Sequence, residues 1–154
     1  MGVVGVGNMG SAHAMNMFTG KIEHMQLAAI CDIDPKKQEW AKENFPGVPI
    51  FSDYNEMFAS GLLDAVIVAT PHYIHPEIAE AGLEAGLHVI SEKPAGVFTN
   101  QLTEYYEKAR KSGKVFGIMF NQRTNPLFQK AREIVQSGEL GQRKRLVWII
   151  TNWY

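Results

Sequence analysis

Short apolar runs alternate along the chain with longer segments whose apolar positions recur at helical spacing, and Gly, Pro, Asn and Asp separate the two. That alternation predicts a parallel sheet with crossover helices. The runs at 2–5, 26–30, 50–51, 65–69, 88–91 and 115–120 read as strands. Ala65-Val66-Ile67-Val68-Ala69 is apolar on both faces, the pattern of a central parallel strand. Helices are expected over 9–18, from Pro35 to Asn44, over 75–85, from a Thr99 or Asn100 cap through Lys111, and from Pro126 to Ser137-Gly138. Asp53 caps a small helix ending at Ala59, with Glu56 placed for a capping box.

The last segment has a different character. Residues 143–154 read as one long strand, with Leu146, Val147, Trp148, Ile149, Ile150 and Trp153 offering apolar surface on both faces. A strand with exposed aromatics and an unpaired edge needs a neighbour. The expected organisation is a first domain over 1–120, then a connecting segment and the first helix and strand of an incomplete second domain over 121–154. The chain then reads as the first part of a two-domain protein, or as one completed by another chain. Pairing of the terminal strand with an edge of the first sheet is the alternative.

Composition narrows the class. The chain has 154 residues, 45% of them hydrophobic and 20% charged, and a net charge of -1. These values suit a soluble globular domain. No basic excess points to nucleic acid, and the short Arg143-Lys144-Arg145 cluster reads as a solvated strand entry. Cys31 is the only cysteine, so no intramolecular disulfide forms. No apolar run is long enough to span a membrane, and the N-terminus lacks a signal pattern. The expected location is the cytoplasm.

The first predicted strand runs into Gly5-Val6-Gly7-Asn8-Met9-Gly10, a G-x-G-x-x-G fingerprint at the start of a helix. A glycine turn at a helix N-terminus suits a pyrophosphate, because backbone N–H groups and the helix dipole both favour negative charge there. Gly5 permits the turn, Gly7 the approach of phosphates and Gly10 close helix–strand packing. An acid is expected about 20 residues on, where it meets the adenosine ribose; Asp32 stands there. Its carboxylate favours NAD over NADP, although Lys36 and Lys37 could meet a 2'-phosphate. Enzymes that bind S-adenosylmethionine share a glycine turn and a following acid, but the third glycine here fits pyrophosphate better.

Two later loops fall at the carboxyl end of the sheet. In Thr70-Pro71-His72-Tyr73-Ile74-His75-Pro76, Thr70 and His72 read as lining a cofactor groove. A metal held by His72 and His75 is not expected, since no third ligand is obvious and the prolines disfavour a regular helical turn. His75 reads equally as a polar helix start. In Glu92-Lys93-Pro94, a lysine near the nicotinamide half could stabilise a developing alkoxide or accept its proton; as a composition matter alone it is a surface lysine.

Gly5 to Gly10, Asp32, Thr70-Pro71-His72, Glu92-Lys93-Pro94, Asn121-Gln122-Arg123 and Ser137-Gly138-Glu139-Leu140-Gly141 occur in one order that resembles the Gfo/Idh/MocA oxidoreductases. The resemblance implies that the first domain is a doubly wound α/β Rossmann domain that binds a dinucleotide, and that the second is an α/β substrate domain. It implies NAD-dependent hydride transfer on a secondary alcohol of a sugar or cyclic polyol, and a homo-oligomer associating through the second domain. Lys93 resembles the catalytic lysine, with Lys93-Pro94 cis. Gly5, Gly7, Asn8, Met9, Gly10, Asp32, Thr70, His72, Glu92, Lys93 and Asn121 then hold the cofactor, Glu92 at the nicotinamide ribose. His13, His24 and His88 read as structural or solvated. A dinucleotide-binding module without turnover is the alternative function.

Overall fold

The computed structural model describes residues 1–149 and 151. The chain divides into two compact units, Met1–Met119 and a second that begins at Phe120.

In the first unit, β1 (Gly2–Val4), β2 (Ala29–Cys31), β3 (Ile50–Phe51), β4 (Ala65–Val68), β5 (His88–Ser91) and β6 (Phe116–Ile118) make one sheet in the order β3-β2-β1-β4-β5-β6. All its pairings are parallel. The chain order reverses between β1 and β4, which is the switch point where open α/β sheets bind ligands.

Alternation along the strands builds the two faces. Val3, Ile30 and Ile67 point to one side, where they meet Ala14 and Met17 of α1 (Asn8–Phe18) and Ala41 of α2 (Pro35–Asn44). Val4, Cys31, Val66, Val68 and Val89 point to the other. There they meet α3 (Tyr54–Ala59), α4 (His75–Glu84) and α5 (Thr99–Ser112), chiefly through Met57, Phe58, Ile78, Leu83 and Tyr105. Helices thus cover both faces, as the apolar run over 65–69 requires.

Several expected boundaries move. The second strand is Ala29–Cys31 and not 26–30; ahead of it the Met1 ammonium donates to the Gln26 carbonyl and the Ala28 N–H to the Met1 carbonyl. The capping box at Asp53 does not form. Its carboxylate accepts from the backbone N–H of Asn55 at 2.7 Å, so the two-residue turn satisfies the cap without Glu56. Neither Thr99 nor Asn100 caps α5; Phe98 holds that position without a side-chain bond. A 3-10 turn spans His72–Ile74 and leads straight into α4, where the prolines were expected to disfavour a regular helical turn. Pro71 and Pro76 permit it because each sits at the start of its element, where no N–H is needed.

The second unit contains a 3-10 turn, Asn121–Thr124, and α6 (Pro126–Gln136), capped by the Asn125 side chain. The expected terminal strand is not formed over residues 143–149; positions 150 and 152–154 lie outside the described residues. A strand needs a laddered neighbour, and none is present for it among the described residues. Trp148 instead stacks on Phe128, with ring centroids 5.3 Å apart. Among the described residues no helix is long and apolar enough to cross a membrane.

Candidate functional site

The carboxyl ends of β1, β2, β4 and β5 deliver the sequence-predicted residues of the first unit to one edge of the sheet. Gly5 turns there with φ of 87°, a left-handed conformation that other residues adopt at a cost. Its N–H donates to the Cys31 carbonyl at 2.8 Å, tying the turn to the end of β2. A Cβ at Gly10 would overlap the Gly5 carbonyl oxygen, so this helix can lie so close to the turn only with glycine there. A Cβ at Gly7 would meet nothing within 4 Å.

The N-terminus of α1 is open. Gly7 is its N-cap and supplies no side-chain hydrogen bond, and the first turn carries no acid. By contrast, Asp34 caps α2 with its carboxylate on the Lys36 N–H. An uncapped helix start beside open space at Gly7 fits an anionic ligand. Asn8 and Met9 form the first turn, Met9 exposed.

Asp32 is anchored from two sides. One carboxylate oxygen accepts from the Val6 N–H at 2.8 Å and the other from the Asp34 N–H at 2.9 Å. The acid is thereby aimed at the glycine turn itself. Beside it lies a cavity of about 140 Å³ lined by Gly5, Asp32, Ile33, Thr70, Pro71 and Ile74, among others. Its wall is mainly apolar, and the Thr70 hydroxyl oxygen is buried without a hydrogen-bond partner among the described residues.

Glu92 is only 5% exposed, although it follows β5 directly. One carboxylate oxygen lies 2.8 Å from Nε2 of His13 on α1, and the other accepts from the Lys93 N–H at 3.1 Å. The Lys93-Pro94 peptide is cis. The Lys93 side chain is exposed, and among the described residues no acid pairs with its ammonium. His72 is exposed in its 3-10 turn. Asn121 belongs to the second unit, where its carbonyl accepts from the Thr124 hydroxyl.

Two histidines matter more than their positions in the sequence suggested. His13 buttresses Glu92, and its placement three residues after Gly10 on α1 is the signal that could have found it. His75 is fully buried, its ring nitrogens 2.8 Å from the Pro94 carbonyl and 2.6 Å from that of Thr70. It therefore neither lines the groove nor faces solvent; it ties the two loops together. Tyr54 and Glu77, on the rim of the 140 Å³ cavity, carried no sequence signal at all. Among the described residues no group of three metal-ligating side chains converges.

Known proteins share this fold. The model of an oxidoreductase family with an NAD-binding Rossmann fold, Gfo/Idh/MocA, matches residues 1–120. An uncharacterised oxidoreductase of Bacillus subtilis is 31% identical over 141 residues, 91% of this chain and 40% of its own. An inositol 2-dehydrogenase of Corynebacterium glutamicum is 31% identical over 143 residues, 92% of this chain and 42% of its own. The crystal structure of scyllo-inositol dehydrogenase from Lactobacillus casei, with bound NAD(H) and scyllo-inositol, superposes with a TM-score of 0.84 at 31% identity. That match covers 91% of this chain and 41% of the other. The chain thus spans about two fifths of the length of these relatives.

Proposed function

The chain belongs to the Gfo/Idh/MocA family of oxidoreductases with an NAD-binding Rossmann fold, and from that premise we propose that it forms the cofactor half of an NAD-dependent dehydrogenase. The substrate class is a secondary alcohol of a sugar or cyclic polyol, in keeping with the inositol dehydrogenases among its relatives. The observation that carries the reading is the open N-terminus of α1 beside Gly7, with Asp32 fixed to the same turn through the Val6 N–H.

In this reading the N–H groups of Asn8, Met9 and Gly10 receive the pyrophosphate. Asp32 accepts hydrogen bonds from the adenosine ribose, and its negative charge disfavours the 2'-phosphate of NADP. Thr70 and His72 line the groove. Glu92 binds the nicotinamide ribose; its contacts with His13 and the Lys93 N–H support that role by fixing the carboxylate. Bound NAD supplies the acceptor for the hydrogen and electron pair that leave the alcohol carbon. Lys93 acts at the alcohol oxygen, taking up its proton or stabilising the developing negative charge. As an exposed ammonium with no acid paired to it among the described residues, it suits the stabilising role; taking up the proton requires the neutral amine.

The second reading is a dinucleotide-binding module without turnover. It is favoured by one observation, that the open α1 start and the anchored Asp32, which suffice for binding, both lie within the first unit. Incubating the chain with NAD and a panel of inositols and sugars, while following absorbance of the reduced cofactor, separates the two. Turnover that is lost in Lys93→Ala supports the dehydrogenase. Binding without turnover supports the module, and absence of binding removes both.

A further inference from the structure

The cavity beside Asp32 has one feature that neither the ribose nor the pyrophosphate requires. On its rim, Tyr54 at the start of α3 donates from its hydroxyl to Oε1 of Glu77 in the first turn of α4, at 2.9 Å. The Tyr54 ring is itself held against Phe58, with centroids 5.6 Å apart, and Phe58 is buried. The carboxylate of the exposed Glu77 is thus oriented by one donor at the cavity rim, and Oε2 is left to solvent or a ligand. The cavity wall around this pair is mainly apolar, built from Val4, Ile33, Pro71, Ile74 and Ile78. Burial, and then the bond to Glu77, push the Tyr54 hydroxyl above its ordinary value, so it remains a donor at neutral pH.

An apolar slot of about 140 Å³ next to a ribose-binding acid suits a flat heterocycle, and a lone carboxylate oxygen on its rim suits an N–H donor on that ring. Adenine carries such a donor in its exocyclic amino group. We propose that Glu77, oriented by Tyr54, reads the amino group of the cofactor's adenine and so sets the base specificity of this site. The inference rests on the dinucleotide reading. It adds to it a residue that chooses between bases, since a carboxylate faces the carbonyl of a hypoxanthine ring unfavourably.

The test compares NAD with nicotinamide hypoxanthine dinucleotide, in which a carbonyl replaces the amino group. Both are titrated calorimetrically into the 154-residue chain, and into its Glu77→Gln and Tyr54→Phe variants. The expected result is that the chain binds NAD about tenfold more tightly than the hypoxanthine analogue, as one hydrogen bond to a charged group implies. In Glu77→Gln, whose amide offers both a donor and an acceptor, the ratio falls to about twofold or less. In Tyr54→Phe the ratio shrinks because the carboxylate loses its orienting donor. Thermal melting checks that both rim variants remain folded. Equal binding of the two dinucleotides by the unaltered chain, or an unchanged ratio in Glu77→Gln, overturns the inference while leaving the dinucleotide reading standing. Failure to bind either dinucleotide overturns both.

Discussion

His13 and Glu92 are separated by 79 residues in sequence, yet Nε2 of one lies 2.8 Å from Oε1 of the other. The contact joins the first helix after the glycine turn to the loop that carries Lys93. It places a polar pair where both side chains are largely shielded, 15% and 6% exposed. Removing His13 leaves Oε1 of Glu92 without this partner, while Oε2 keeps the Lys93 N–H.

The first prediction follows from that contact. His13→Ala should lower the unfolding free energy by about 1–3 kcal/mol, the cost of a buried acceptor left unpaired. Urea denaturation of the two chains measures it. A change within about 0.5 kcal/mol, as for an ordinary surface site, would mean that Glu92 does not depend on His13.

The last two glycines of the fingerprint, Gly7 and Gly10, should respond differently in stability. Gly10→Ala places a Cβ on the Gly5 carbonyl, and neither is the free end of a flexible side chain. The expected loss is about 1–3 kcal/mol or more of stability, with dinucleotide binding lost alongside. Gly7→Ala meets nothing within 4 Å, so the fold should hold while NAD affinity falls, because the methyl group enters the space left for phosphates. Thermal melts and calorimetric titration of both variants separate the effects. Gly7→Ala binding NAD as the parent does would argue against a pyrophosphate at that turn.

These residues also mark how far the sequence could be read. The glycine spacing, Asp32 and the succession of strands and helices along the chain were legible because each follows from local geometry: a turn, a helix start, an apolar run. The carboxyl-edge loops were legible as loops. What they do for one another was not, since His13, Glu92, His75 and Thr70 meet only through the sheet order and the crossover helices. His75 shows the limit. A histidine followed by proline at a helix start is an ordinary solvated pattern, and only the packed structure places its ring between two carbonyl oxygens. The terminal segment shows the opposite error. Its apolar residues suggested a strand, but β propensity does not form one without a partner, and 143–149 have none among the described residues.

His75→Ala should therefore be severe. It removes a fully buried ring whose nitrogens lie 2.8 Å and 2.6 Å from the carbonyls of Pro94 and Thr70. The expected cost is about 2–5 kcal/mol, from the cavity and the lost hydrogen bond together. Denaturant midpoints report it. Cleavage by a protease within 70–74 or 93–98 should also accelerate if the ring is what ties these loops. A variant as stable and as resistant as the parent would contradict that role.

Cys31 provides a prediction with a pH sign. Burial first, and then the nearby carboxylates of Asp32, Asp53 and Glu56, push its thiol up to about 12 from 9.0. The folded protein therefore keeps this proton across a range where the unfolded chain releases it. Stability should fall as pH rises above 9 toward 12, and Cys31→Ala should fall less steeply. At pH 8 the native thiol should resist an aromatic disulfide reagent and react only after denaturant is added. Rapid reaction in the native state would show that the end of β2 opens.

Calorimetric titration of NAD and NADP into the chain, with Asp32→Ala as the comparison, tests the central claim most directly. The account predicts one-to-one binding of NAD, weaker binding of NADP, and loss of most NAD affinity when the carboxylate that bonds the Val6 N–H is removed. No binding of NAD to the folded chain, or NAD affinity unchanged in Asp32→Ala, would contradict it.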